Sequence, residues 1–121
     1  MQKYKFDHIH LMSPDPVKTA EFYQKMFGAK LQDSIDLGEG RIMLNLNLGG
    51  VKMLISKASD EKQYGLAHFG MNTPSVKEAV AELEAKNVKF PMALTRISPQ
   101  LSISFLEAPD NVRVELSDVE K

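Results

Sequence analysis

The sequence predicts an α+β fold built as a single domain over residues 1–121 from two tandem β-α-β-β-β modules, about 1–58 and 64–121. Two observations carry this. First, the order of elements restarts after the polar linker "ASDEKQYG" (58–65). Second, the two halves share residues at a fixed spacing. His8 and His68 lie 60 apart, as do Pro14 and Pro74. One deletion later, Val17-Lys18 meets Val76-Lys77, and Gly28-Ala29-Lys30-Leu31 meets Asn87-Val88-Lys89-Phe90, both at an offset of 59. Two copies are too few for a solenoid and suit a pseudo-symmetric pair of small sheets. A ferredoxin-like α+β domain with coincidental self-similarity is the alternative that this pattern leaves open.

Each element has its own signals. Residues 4–12 alternate as a strand. "SPDPVKTAEFYQKMFG" (13–28) reads as a helix, with Ser13 and Asp15 as caps, Pro16 in the first turn and Gly28 past the end. Its apolar side is Val17, Ala20, Phe22, Tyr23 and Phe27. "KLQDSIDL" (30–37) is a weak strand. "RIMLNLN" (41–47) and "VKMLISK" (51–57) alternate clearly around "LGG", a hairpin turn. "LAHFGMN" (66–72) opens the second module. "TPSVKEAVAELEAKN" (73–87) is a helix with Thr73 as N-cap and Pro74 at the first position, lined by Val76, Ala79, Val80 and Leu83. "VKFPMALTRI" is strand-like but broken at Pro91. "LSISFLEA" (101–108) and "VRVELSD" (112–118) flank the turn "PDN".

Composition excludes several function classes. There is no Cys, so disulfides, thiolate nucleophiles and zinc–thiolate sites are ruled out. Fifteen basic against sixteen acidic residues give a net charge of −1, which offers no footprint for nucleic acid. No apolar run approaches the roughly 20 residues of a membrane span. "MQKYKFDH" has no apolar core of a signal peptide, so a cytoplasmic protein is expected.

Strand parity sorts the polar residues, because i and i+2 share a face. In "FDHIHLM" (6–12), Ile9 and Leu11 are assigned to the core, and His8 and His10 to the opposite face. His68, Gly70 and Asn72 fall opposite Phe69 and Met71. Arg113, Glu115 and Ser117 fall opposite Val112, Val114 and Leu116. Lys52, Leu54 and Ser56 fall opposite Val51, Met53 and Ile55, and Met43, Asn45 and Asn47 fall opposite Ile42, Leu44 and Leu46. The non-core faces thus collect all three histidines, Glu115, Arg113, Asn45, Asn47 and Asn72. Two imidazoles and a carboxylate on one surface suit a divalent metal. His8 and His68 occupy equivalent strands, and Glu115 has its counterpart at Leu54. His10 reads either as a proton-transfer residue, since imidazole ordinarily titrates near 6.5, or as a polar group lining the pocket. Arg113 reads as an anion contact or a solvated strand residue.

At these residues the chain resembles the vicinal oxygen chelate superfamily, which includes glyoxalase I, bleomycin- and fosfomycin-resistance proteins, methylmalonyl-CoA epimerase and extradiol dioxygenases. "FDHIHLMSPDPVKTAEFYQKMFGAKL" resembles the family opening, "LAHFGMNTPSVKEAVAELEAKNVKF" its second module, and "EAPDNVRVEL" its closing strand, with Asn111 where glycine is usual. The resemblance implies a curved, cupped mixed sheet and metal ligands at His8, His68 and Glu115. A fourth ligand, usual near the end of the first module, falls on Leu54, which cannot bind metal. This departure argues against glyoxalase I and epimerase chemistry. A two-His, one-carboxylate set leaves positions open for a bidentate substrate and favours Fe(II) or Mn(II), with Zn(II), Ni(II) or Co(II) also compatible.

The expected function is a metal-dependent enzyme on a small oxygenated substrate, of isomerase, lyase, transferase or dioxygenase type, with His10 as the catalytic base. Asn45, Asn47, Leu54, Asn72 and Arg113 would line the substrate pocket, bordered by a loop over 92–100. The absence of Trp weighs against fosfomycin-type thiol transfer. Extradiol cleavage is disfavoured too, since neither Tyr23 nor Tyr64 matches the extra Tyr those enzymes need. The alternative is a metal-free protein of the bleomycin-resistance type that sequesters a small molecule. The resemblance further implies a homodimer, with the site formed within one chain or by exchange of modules.

Overall fold

The computed structural model describes residues 3–118, which form two compact units. One comprises residues 8–67, and the other combines residues 3–7 with 68–118. No helix among the described residues is long and apolar enough to cross a membrane. Among the described residues, eight strands and two α-helices appear in the expected β-α-β-β-β order, twice, which gives the α+β class.

The first unit holds β1 (Lys5–Ser13) from His8 onward, α1 (Pro16–Phe27), β2 (Lys30–Gly38), β3 (Arg41–Leu48) and β4 (Val51–Lys57). Its strand order is β2-β3-β4-β1. β1 and β4 are parallel, and the other pairs are antiparallel. The alternation in β3 and β4 sends Leu44, Leu46, Met53 and Ile55 into the core with Ala20 and Ala29, and Ile9 and Leu11 pack against them. Helix α1 begins where Asp15 Oδ1 accepts the Lys18 N–H at 3.2 Å, and Pro16 fits the first turn because it needs no hydrogen-bond acceptor. It ends at Gly28, whose φ of 71° is a left-handed cap. The β3–β4 turn uses positive φ at both Gly49 and Gly50, and Asn47 Oδ1 accepts the Gly50 N–H at 2.7 Å.

Parity holds within β3 and β4 apart from Val51, the first residue of β4, but overstates the apolar side of α1. Val17, Phe22 and Phe27 are 48, 51 and 66% exposed. The helix meets its sheet through Ala20 and Tyr23, and the small Ala20 lets it lie close. Phe22 and Phe27 instead gather around Tyr23, with ring centroids 5.3 to 6.2 Å apart.

The second unit holds β5 (Gly65–Asn72) from His68 onward, α2 (Val76–Ala85), β6 (Met92–Ser98), β7 (Leu101–Ala108) and β8 (Val112–Ser117), in the order β5-β8-β7-β6. β5 and β8 are parallel, the other pairs antiparallel. Val76, Ala79 and Leu116 form the core, with Met71, Val80, Leu83, Phe90 and Leu106 around them. Tyr4 joins this cluster, so residues 3–7 belong here. Its hydroxyl donates to Glu82 Oε2 at 3.2 Å, and Lys3 pairs with the same carboxylate. The Lys3 hydrogen bond holds the Glu82 carboxyl below its ordinary range, and burial, reinforced by Glu82, pushes the Tyr4 phenol up.

Three expectations change in detail. Ser75, not Thr73, caps α2, its Oγ accepting the Glu78 N–H at 3.2 Å. Asp118 explains the later start: one carboxylate oxygen accepts the Val76 N–H at 3.1 Å, and the other accepts the Ser102 N–H at 2.8 Å. Thr73 is instead buried, and its N–H donates to Ser117 O at 2.9 Å. Val51 and Val112, expected in the core, are 38 and 39% exposed, because each opens its strand beside a turn. The segment 92–100 is mostly strand β6, paired with β7, and Arg96 donates to Pro99 O at 3.2 Å within its own turn.

Candidate functional site

In the first unit, cross-strand register builds rows of side chains opposite the core. β1 and β4 pair His8 with Lys52 and His10 with Leu54. β3 and β4 pair Asn47 with Lys52 and Asn45 with Leu54. One row is therefore Asn47–Lys52–His8, and the next is Asn45–Leu54–His10. His8 is buried and His10 half-buried, their rings edge to face with centroids 6.4 Å apart. His10 Nε2 lies 2.8 Å from Ser56 Oγ, which fixes the imidazole ring. Leu54 is 9% exposed, an alkyl chain between an amide and an imidazole. The Asn47 amide is engaged in the hairpin turn, so it shapes the rim of this face.

In the second unit, β5, β8 and β7 pair Gly70 with Glu115 and Phe105 with Glu115. His68 Nε2 lies 4.0 Å from Glu115 Oε1, and both side chains are largely shielded. The His68 ring stands edge-on to Phe105 at 5.0 Å between centroids. The Arg113 guanidinium lies over the same ring, 4.4 Å from its centroid. Asn72 Nδ2 donates to Ser117 O at 3.2 Å, bridging β5 to β8.

The His68–Glu115 separation is too long for a hydrogen bond. Two donors on one ion, with ligand bonds of about 2.1 Å, stand about 3.0–3.4 Å apart as tetrahedral or neighbouring octahedral ligands, so the two side chains would have to close by about 0.6–1 Å to share an ion. Imidazole and carboxylate suit the borderline divalent ions.

Sequence parity places Lys52 and Ser56 on the face opposite the core without giving either a role, and it does not consider Phe105. Counting outward from the turn at "PDN" was the signal for Phe105: Ala108 meets Val112, so Phe105 meets Glu115. The regular alternation of "LSISFLEA" reads as an ordinary core strand, yet the buried side carries Ser102 and Ser104. Ser104 is satisfied by donating to Met92 O at 2.7 Å.

A family model described as the Glyoxalase/Bleomycin resistance protein/Dioxygenase superfamily matches residues 5–116. The chain belongs to this superfamily. Among curated relatives of this superfamily member, human mitochondrial methylmalonyl-CoA epimerase is 25% identical, over 70% of this chain and 55% of that protein. The chain thus spans about half the length of that relative. Solved structures share the superfamily fold. A hypothetical protein from Bacillus halodurans C-125 matches with a TM-score of 0.81 at 19% identity, over 99% of this chain and 97% of that one. Methylmalonyl-CoA epimerase from Streptomyces coelicolor, in complex with 2-nitronate-propionyl-CoA, matches with 0.74 at 20%, over 97 and 98%. The Mycobacterium tuberculosis epimerase matches with 0.74 at 16%, over 97 and 89%.

Proposed function

We propose that this chain is a divalent-metal-dependent isomerase that moves a proton on a carbon beside a carbonyl. His8, His68 and Glu115 would hold the metal, and His10 would carry the proton. The 4.0 Å approach of His68 Nε2 to Glu115 Oε1 is the observation that carries the reading. A bound divalent ion would supply Lewis-acid stabilisation of the negative charge that develops on a substrate oxygen. Ser56 holds the His10 ring in one orientation, which a proton carrier needs. Phe105 walls the His68–Glu115 pair and shields it from water.

Against the expectation from Leu54, which disfavoured epimerase chemistry, the relatives favour epimerase-type chemistry among the reactions open to this superfamily. Leu54 stands where the resemblance puts a fourth ligand, so the proposed ion has three protein ligands and more positions for substrate or water. Asn45, beside Leu54 in register, is the nearby polar group that would orient the substrate.

The test is proton exchange. Methylmalonyl-CoA, the substrate in the relatives' name, is incubated with protein in D2O and its α-proton followed by NMR. The expected result is metal-dependent exchange that falls at least roughly 100-fold in His10→Ala. Exchange that survives both His10→Ala and metal removal overturns the reading. A protein that binds no metal and no acyl-CoA but retains an apolar ligand supports the sequestering alternative.

A further inference from the structure

We infer that Met12 and Met43 are specificity-determining residues that take an alkyl substituent of the substrate, so that the substrate carries an apolar chain next to its reacting carbon. The inference rests on the placing of the site at His10 and deepens it to a substrate class. It stands on side chains of the first unit alone.

Register sets a third row of side chains opposite the core. β1 pairs Met12 with Ser56, β3 pairs Met43 with the same Ser56, and β2 pairs Ile35 with Met43. The row is therefore Ile35–Met43–Ser56–Met12, on the face that carries His10. It lies about 6.7 Å from the Asn45–Leu54–His10 row, two residues along each strand. The 2.8 Å contact of His10 Nε2 with Ser56 Oγ crosses that gap, so the imidazole leans toward the methionines. A substrate carbon within reach of His10 thus has its substituents against this row.

Helix α1 packs on the opposite face. Met12, Met43 and Ile35 are half-buried, and among the described residues none of the three joins the core cluster on which α1 lies. Holding the helix is therefore not their role. Neighbouring strands stand about 4.8 Å apart, which puts Met12 and Met43 about 9.6 Å apart with only the short Ser56 between them. Two long thioether side chains on either side of a small residue make a slot for a slim chain, with Leu54 next along β4 toward His10. The row carries no charge, and methionine walls adapt to the shape of an apolar guest.

The duplicated module supplies an internal comparison. The matching row of the second unit is Thr95–Ile103–Ser117–Asn72. Serine again sits between two strands, but Thr95 and Asn72 stand in place of Ile35 and Met12, and the Asn72 amide donates to Ser117 O at 3.2 Å. A module of this fold needs no methionine in the row, so the pair in the first unit points to what that unit binds.

The test titrates acetohydroxamate, octanohydroxamate and the carboxylate-ended suberic monohydroxamate into protein isotope-labelled at its methionine methyl groups, with and without Zn(II). Met12→Leu and Met43→Leu assign the two NMR signals. Octanohydroxamate should shift both and bind at least about 60-fold tighter than acetohydroxamate, at about fourfold for each of three methylenes removed from water. The carboxylate-ended probe should lose most of that gain, because the row offers its charge no partner. Met43→Gln, of similar length but polar, should cut the alkyl preference at least about tenfold and leave acetohydroxamate binding unchanged. Met43→Leu, which keeps the apolar surface, should keep the preference. The inference is overturned if octanohydroxamate leaves both signals unmoved or shifts only other methionines. It is overturned as well if the two long probes bind alike, or if Met43→Gln and Met43→Leu behave alike. Where Zn(II) adds nothing to acetohydroxamate binding while octanohydroxamate still shifts both methionines, the metal reading fails and this one stands.

Discussion

Leu54→Glu places a fourth potential ligand where this chain carries an alkyl group, and its consequences can be worked through. Leu54 is 9% exposed and sits in register with His10 and Asn45. Removing the leucine forfeits about 1.5–3 kcal/mol of apolar burial. Burying a carboxyl adds a desolvation cost, so a total near 3 kcal/mol is a low estimate. At about 4 °C per kcal/mol for a chain of this size, the metal-free variant should melt roughly 12 °C below wild type. A metal at 100 times its Kd returns about 2.7 kcal/mol, or roughly 11 °C. The assay is thermal unfolding of wild type, Leu54→Glu and Leu54→Gln, with and without Mn(II) or Zn(II). The variant should gain more from metal than wild type does, because a carboxylate adds a ligand. An equal or smaller gain would refute the proposed metal position.

Other outcomes follow from the same structure. Met53→Ala empties a fully buried site in the first unit and should cost about 2–5 kcal/mol, read as a drop in denaturant midpoint at unchanged slope. Asn47→Ala removes the acceptor for the Gly50 N–H and should cost about 1 kcal/mol, read as a lower Tm. Glu82→Gln should change acid stability. The Glu82 carboxyl titrates lower folded than unfolded, so its stabilising contribution is present above the ordinary carboxylate pKa and fades as pH falls through the folded value. A plot of Tm from pH 6 down to pH 3 should therefore fall less steeply for Glu82→Gln than for wild type.

Much of this molecule is legible in its sequence because period-2 alternation is a local property. "RIMLNLN" and "VKMLISK" declare both faces of β3 and β4, and the observed core is the one that parity assigns. What depends on neighbours in space is harder to read. The apolar face of α1 is overstated because sequence cannot show that Ala20 brings the helix close while Phe22 and Phe27 remain outside. The cap of α2 moves because Asp118, over forty residues away, reaches its first turn. His68 and Glu115 are placed on one face by parity, and their approach follows from β5 lying parallel to β8. Phe105 escapes notice because its register partner emerges only when the hairpin is closed. Lys52 and Ser56 lie on the side parity assigns, but nothing in a lone strand shows that they flank His8 and hold His10.

The central claim is that His8, His68 and Glu115 hold one divalent ion. Elemental analysis of protein purified without chelators, wild type against His68→Ala and Glu115→Ala, tests it most directly. The claim predicts close to one metal per chain in wild type, and loss of most of it in each folded variant. Wild type without metal that also fails to gain thermal stability from Mn(II), Fe(II), Zn(II) or Ni(II) would contradict it, as would variants that retain the full complement.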